Sequence, residues 1–274
     1  ESSRFWRTKR RPATHRNKDM IYQALTGCLL AASTIMVYAQ TNQNGSLTFG
    51  SSNLMCDAYV DFVEIKGLPR VLLVGDSISE GYTVPVRNNL RGRANVFRIP
   101  ENGGPTTNGL AKLNKWINGE KWDVIYFNWG LHDLKIMKDG TREVSTNLYE
   151  ANLRRLVRDL QTTGAKLVWA TTTPVPAGDI KHGVKRNTAD VPLYNAIARK
   201  VMNENNIAID DLYEFAMPQL SEIQLPTNVH FKVEGYQALG KRVAASIETT
   251  LAKPAGPGAV YESKPRSEHA PMNP

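Results

Sequence analysis

The chain has 274 residues, of which 41% are hydrophobic and 22% charged, and a formal net charge of +8 at pH 7. This length allows one or two domains with a sizeable buried core. Residues 1–19 hold seven Lys or Arg against Glu1 and Asp19, a net +5, which leaves 8 − 5 = +3 for the rest. The positive charge is concentrated at one end, so the composition argues against a nucleic-acid-binding protein.

Residues 1–39 are predicted to be a basic leader followed by a signal peptide. The apolar run Ile21–Ala39 follows the positive charge and has small residues near its end. This order is typical of a secretory signal peptide, here residues 20–39. A lipoprotein cleavage box at Leu25–Cys28 and a permanent membrane anchor are alternatives, since the run is just long enough to span a bilayer. We expect a secreted or periplasmic protein with no stable membrane insertion after cleavage.

Residues 40–252 are predicted to form one α/β domain, and residues 253–274, with five prolines, a C-terminal tail. Short apolar runs alternate with helical patterns, which indicates a parallel sheet with helices on both faces. The runs are apolar on both sides of the strand, as in Val124–Phe127. We predict strands at 70–75, 95–99, 123–128, 166–171 and 207–210, and helices at 108–118, 143–163, 190–205 and 234–251.

Polar or glycine-rich clusters follow three of the predicted strands, and a fourth precedes the last helix: Gly75–Ser79, Ile99–Thr107, Gly130–Asp133 and Val229–Phe231. The carboxyl ends of parallel strands carry the sites of such folds, because helix N-termini there offer N–H groups to negative charge. Ser77 is therefore a candidate nucleophile, although Gly-Asp-Ser is also a common turn. His230 is the candidate base, since imidazole exchanges protons near neutral pH, with a capping or packing histidine as the alternative.

In this order the clusters resemble the four blocks of the SGNH hydrolases, the GDSL family of esterases and lipases, which carry Ser, Gly, Asn and His. The resemblance implies a three-layer α/β/α fold with a five-stranded parallel, flavodoxin-like sheet. It further implies that Ser77 is the nucleophile and His230 the base, and that Gly104 supplies a backbone N–H to the oxyanion. Two positions depart from the pattern: His132 takes the place of the block's asparagine, and Thr227 that of the aspartate three residues before the histidine.

His132 can replace the amide donor of an asparagine only as the right tautomer or when protonated. Activity is then expected to depend on the ionisation of His132 as well as of His230. The alternative is a turn residue packed behind Trp129. We expect Asp133 to orient this loop or His132. Asp76 directly precedes Ser77 and Asn228 lies two residues before His230, and we expect both to have supporting roles.

Thr227 cannot supply the charge that a carboxylate gives to the imidazolium of His230. Three alternatives follow. His230 is held by a backbone carbonyl or by the Thr227 hydroxyl; another acid, Asp133 or Asp190, reaches it; or the protein is catalytically weak. We favour a Ser77–His230 dyad.

Asn102, Thr106 and Trp129 lie beside the second and third blocks and suit a sugar ester, although Trp129 is equally suited to the core. No cluster has metal-ligand spacing, so no metal or cofactor is expected. The preferred function is an exported serine esterase acting on short acyl esters, with O-acetyl groups on carbohydrate as target. The alternatives are a non-catalytic carbohydrate-binding relative and a lysophospholipase or thioesterase with the same site.

Overall fold

The computed structural model describes the backbone of two short strands, β1 (Gln40–Thr41) and β2 (Leu47–Thr48), and residues 54–117, 119–178 and 184–253. The predicted signal peptide and nearly all of the predicted tail lie outside the described residues. The chain divides into two compact units, Glu1–Gly50 and Ser51–Pro274. The first contains the antiparallel pair β1–β2, and every functional residue discussed below lies in the second. The domain ends predicted at residues 40 and 252 stay predictions.

The second unit is built on a five-stranded parallel sheet, as predicted. The strands are β3 (Arg70–Val74), β4 (Asn95–Arg98), β5 (Val124–Phe127), β6 (Lys166–Ala170) and β7 (Ala208–Asp210), and they lie in the order β4-β3-β5-β6-β7. Leu72 of β3, the strand next to the edge strand β4, pairs with Phe97 on one side and Ile125 on the other. This is the flavodoxin-like order, whose switch point lies between β3 and β5. Each of these strands agrees with its predicted range to within one residue at either end.

Two groups of helices pack around the sheet. The helix that follows β3 (Ser77–Asn89) packs on the last helix (Val233–Ala252). The helices Thr106–Ile117, Thr146–Gln161 and Asp190–Glu204 contact one another in turn. The α/β prediction is confirmed, but the helix that follows β3 was not predicted. None of the described helices is long and apolar enough to cross a membrane. The helices are α1 Leu54–Asp57, α2 Ser77–Asn89, α3 Thr106–Ile117, α4 Thr146–Gln161, α5 Asp190–Glu204, α6 Leu212–Ala216, α7 Leu220–Ile223 and α8 Val233–Ala252, with a 3₁₀ turn at Met217–Gln219.

The unpredicted helix α2 lacks the sequence pattern of a surface helix. Every residue from Ile78 to Val86 is buried, so no apolar stripe alternates with a polar face. Gly81 costs backbone entropy and Pro85 removes a helical hydrogen bond, and both lower the helix propensity. The helix is therefore stabilised by its surroundings rather than by its own sequence.

Close packing of α2 against α8 depends on a glycine in each helix. A Cβ atom on Gly81 would lie 2.1 Å from Cε1 of Tyr236, and one on Gly240 would lie 2.3 Å from Cβ of Pro85. Neither position has room for a larger residue, because real carbon atoms do not approach so closely. The two helices thus approach as closely as their backbones and these side chains allow.

We expect Gly81→Ala to destabilise the fold by about 1–3 kcal/mol, the usual effect of overpacking a dense core. Urea unfolding measures this loss directly. The double variant Gly81→Ala/Tyr236→Leu makes room for the added methyl group and should be more stable than additivity predicts. Strictly additive losses of stability would show that the methyl group added at position 81 does not contact the Tyr236 side chain.

Candidate active site

Ser77 is the first residue of α2 and follows the end of β3 after two residues, at the switch point of the sheet. Asp76 caps the helix, since its side chain accepts a hydrogen bond from Ile78 N at 2.9 Å. Burial raises the pKa of this carboxyl above its ordinary value, and the Ile78 N–H opposes the shift. The cap fixes the turn that presents Ser77, and the unpaired N–H groups of a helix start favour negative charge beside it.

The structure brings Ser77 and His230 together, although 153 positions separate them in the sequence. Ser77 Oγ lies 2.8 Å from His230 Nε2. This is within the hydrogen-bonding distance at which a base can take a proton from a hydroxyl. His230 is half-buried and lies three residues before the start of α8.

Asn228 contacts His230 in a way that fixes the tautomer of the imidazole. Asn228 Oδ1 accepts the backbone N–H of His230 at 3.2 Å and lies 2.9 Å from Nδ1. A backbone N–H can only donate, so the Asn228 atom between the two nitrogens is the oxygen. Nδ1 must then carry a proton towards Asn228, and in the neutral ring Nε2 accepts from the Ser77 hydroxyl.

Thr227 and Asp190 were two of the groups predicted to orient His230. Thr227 is exposed and adopts a positive φ of 50°, which is unusual for a β-branched residue. Asp190 forms an ion pair with Arg142 at 2.5 Å. The side-chain carbonyl of Asn228, one of the expected supporting residues, occupies the position next to Nδ1 for which a backbone carbonyl or the Thr227 hydroxyl was predicted.

Asp133, in the third block, connects to the second block through hydrogen bonds with Thr106 rather than orienting a histidine. Its Oδ1 accepts from Thr106 N at 2.9 Å and from Thr106 Oγ1 at 2.5 Å, and Asn152 Nδ2 donates to the same hydroxyl. Asp133 and Thr106 are both fully buried. Burial raises the pKa of Asp133 to about 6, although the two Thr106 hydrogen bonds oppose the shift.

Two residues predicted to bind substrate are thus placed in the interior. Thr106 is held by Asp133, and Trp129 is 1% exposed and packs against Phe127. A Cβ atom on Gly109 would lie 2.8 Å from the Trp129 ring, so α3 lies directly on this side chain. Trp129 has the core position that the sequence left as its alternative.

Gly104 and Asn102 form a closed hydrogen-bonded turn beside the nucleophile. The Gly104 N–H, expected to donate to an oxyanion, donates to Asn102 Oδ1 at 3.0 Å. Asn102 Nδ2 in turn donates to Glu80 Oε1 at 3.0 Å, which fixes the orientation of the amide. The Gly104 N–H must leave Asn102 before it can reach a substrate oxygen.

Arg98 donates hydrogen bonds to residues on both sides of Ser77, and the sequence analysis did not identify it. Its guanidinium donates to Gly75 O at 3.3 Å and to Ser79 Oγ at 2.9 Å, and lies 3.7 Å from Glu80. The side chain is 2% exposed. A charged residue inside a predicted buried strand is the signal that could have identified it, because such a charge needs partners.

His132 lies in the turn after β5 and contacts Lys135 one turn further on. Lys135 Nζ is 2.8 Å from His132 Nδ1 and 3.4 Å from Glu143 Oε2. Burial, together with the charges of Lys135 and Arg186, lowers the pKa of His132 to about 3, so this imidazole is neutral at neutral pH. The expected dependence of activity on His132 ionisation therefore finds no support here.

The block around His132 needs its glycine. Gly130 has a φ of 148°, and a Cβ atom there would lie 2.2 Å from Thr172 Oγ1. A side chain at this position would displace the turn that carries His132 and Asp133. Within the part of the chain that the structure describes, no group of three His, Cys, Asp or Glu side chains is arranged to hold a metal ion.

A family model, described as GDSL-like Lipase/Acylhydrolase family, matches residues 73–238, more than half of the chain. The chain belongs to this family. It is therefore an enzyme that hydrolyses esters, and the matched region runs from the end of β3, through Ser77 and His230, into α8.

Solved structures of other acylhydrolases share the fold. An acetyl xylan esterase is 18% identical to this chain with a TM-score of 0.56, and the match covers 65% of this chain and 99% of the esterase. A lipase/acylhydrolase from Enterococcus faecalis is 23% identical (TM-score 0.57; 66% and 96% covered). A catalytic mutant of an acetylxylan esterase from Geobacillus stearothermophilus is 17% identical (TM-score 0.55; 68% and 96%). No curated protein matches the chain.

Replacing Asn228 should separate tautomer control from nucleophilicity in this GDSL hydrolase. In Asn228→Ala, Nδ1 loses its acceptor, and we expect kcat to fall by about 10²- to 10⁴-fold, as when the tautomer-holding group of a protease triad is changed. Asn228→Asp keeps the oxygen and adds charge that favours the imidazolium. It should retain turnover within about tenfold and move the acid limb of the kcat/KM profile to higher pH.

The exposed Asn203 on α5 provides the matched control, and Asn203→Ala should behave as wild type. Wild-type kcat in Asn228→Ala would contradict the role assigned to the amide.

Asp133 should make stability depend on pH in one window. Between its ordinary pKa of 3.8 and about 6, the folded chain holds a proton at Asp133 that the unfolded chain has released. The free energy of unfolding should therefore fall by roughly 2 kcal/mol as pH rises from 4 to 7. Urea unfolding across this range should show that Asp133→Asn lacks this component, and parallel curves for the two proteins would contradict it.

Proposed function

We propose that the protein is a serine esterase that cleaves short-chain acyl esters through an acyl-enzyme, with Ser77 as nucleophile and His230 as base. The observation that carries the proposal is the 2.8 Å contact between Ser77 Oγ and His230 Nε2 at the switch point of the sheet. Asn228 leaves Nε2 as the accepting nitrogen, which is the state a general base requires.

In this mechanism Ser77 Oγ attacks the ester carbonyl while its proton passes to His230 Nε2. The negative charge that develops on the carbonyl oxygen is stabilised by the N–H groups of Ser77 and Gly104 and by His132. His230 then gives its proton to the leaving alcohol, and the acyl group remains on Ser77. Water attacks this acyl-enzyme and loses a proton to His230, which passes that proton to Ser77 Oγ as the acyl–Oγ bond breaks and the carboxylic acid is released.

The Gly104 N–H reaches the oxyanion only by exchanging Asn102 Oδ1 for the substrate oxygen. Donating to a charged oxygen is stronger than donating to a neutral amide, so the exchange is favoured as charge develops. The interaction therefore strengthens in the transition state rather than in the ground state, which is what raises kcat.

For the substrate we propose acetyl groups on carbohydrate. Two of the structures with this fold are named as acetyl xylan esterases, and Asn102 and Thr107 give the second block polar groups at or near the surface. The signal-like segment at residues 20–39 supports a secreted or periplasmic site of action on such polymers. The partner is then a small or glycan ester and not a nucleic acid.

The test is turnover of p-nitrophenyl esters from acetyl to octanoyl and of acetylated xylooligosaccharide. We expect the acetyl esters to be preferred and Ser77→Ala to lose at least about 10³-fold in kcat, with Ser221→Ala, an exposed serine, as control. A phosphonate probe should label wild type and not Ser77→Ala.

Equal labelling of both proteins would exclude the mechanism. A preference for long chains would select the lysophospholipase or thioesterase alternative. Saturable glycan binding without turnover, unchanged in Ser77→Ala, would select the non-catalytic one.

A further inference from the structure

Lys135 contacts His132 from a largely buried position and takes no part in the catalytic steps described above. Its ammonium lies 2.8 Å from His132 Nδ1 and 3.4 Å from Glu143 Oε2, and its side chain is only 21% exposed. Two backbone hydrogen bonds hold it in place, one from Lys135 N to His132 O at 3.1 Å and one from Glu143 N to Lys135 O at 2.8 Å.

The contact with Lys135 determines which nitrogen of His132 carries a proton. An ammonium group has three donors and no acceptor, so Nδ1 must accept from it. The ring is neutral at neutral pH because burial and the charges of Lys135 and Arg186 lower its pKa to about 3. A neutral imidazole with an accepting Nδ1 carries its single proton on Nε2.

Four charged or titratable groups act on His132, and three of the four favour its neutral state. Lys135, Arg186 and His230 disfavour a second proton on the ring, whereas Glu143 favours one and lies beyond Lys135. Arg186 also donates a hydrogen bond to Leu131 O at 2.9 Å and so contacts the turn that carries His132. Protonation is thus disfavoured, and the tautomer is the only variable that remains.

We propose that Lys135, held by Glu143, is a positioning residue that fixes His132 as the Nε2–H tautomer and so makes it a donor to the oxyanion. The inference rests on the proposed function. An asparagine amide always has an N–H to offer, whereas an imidazole in the other tautomer presents a lone pair that repels an oxyanion. A histidine in this block therefore needs a second residue that an asparagine does not need.

Kinetics of three single variants on p-nitrophenyl acetate test the proposal. Lys135→Met removes the donor to Nδ1, and we expect kcat to fall about 10- to 100-fold with KM within twofold, part of the 10²–10³ that a lost oxyanion donor costs. Lys135→Arg keeps a donor-only cation and should recover most of kcat. Lys138→Met, an exposed lysine of the same loop, is the control and should match wild type.

The decisive comparison uses His132→Asn, which restores an amide at this position. In that background Lys135→Met should change kcat by less than about threefold, because no tautomer remains to be fixed. An equal loss in both backgrounds would overturn the proposal and assign Lys135 a general structural or electrostatic role.

A nitrogen-15 NMR spectrum of His132 reads the tautomer without any turnover. We expect Nε2–H in wild type and a substantial Nδ1–H population in Lys135→Met. Nδ1–H in wild type would overturn the inference whatever the kinetics show. Nε2–H together with no ester turnover by wild type would instead refute the proposed function and leave the tautomer assignment standing.

Discussion

The close approach of α2 and α8 is the constraint on which the site depends. Ser77 opens α2 and His230 precedes α8 by three residues, so the distance between their side chains is set by how these two helices pack. Gly81 and Gly240 let the backbones come together against Tyr236 and Pro85. Any change that separates the helices also separates the serine from the histidine, so stability and activity are linked at this interface.

The two histidines of the site are set in opposite tautomers by neighbours of opposite chemistry. Asn228 offers His230 an acceptor at Nδ1, which leaves Nε2 as a lone pair facing the Ser77 hydroxyl. Lys135 offers His132 a donor at Nδ1, which puts the proton on Nε2. One ring can thus take a proton and the other can give a hydrogen bond. A change of partner at Nδ1 would reverse what each ring does.

The sheet and four of the longer helices could be predicted because their sequences are self-consistent. Runs such as Val124–Phe127 are apolar on both sides, and only a strand between two helical layers buries both sides at once. The helix α2 could not, since its residues from Ile78 to Val86 are buried all round and show no helical period. Trp129 was ambiguous for a related reason: an aromatic beside a block suits a ligand or the core, and only the position of α3 decides.

The sequence by itself determined the parallel α/β fold, the family and the serine and histidine that face each other, because strand patterns and ordered blocks are local properties of the chain. The tertiary structure alone decided how each histidine is held. Asn228 rather than Thr227 meets His230, Asp133 holds Thr106 rather than a histidine, and Lys135 reaches His132. Hydrogen bonding depends on direction and on fractions of an ångström, and these are fixed only when separate elements pack together.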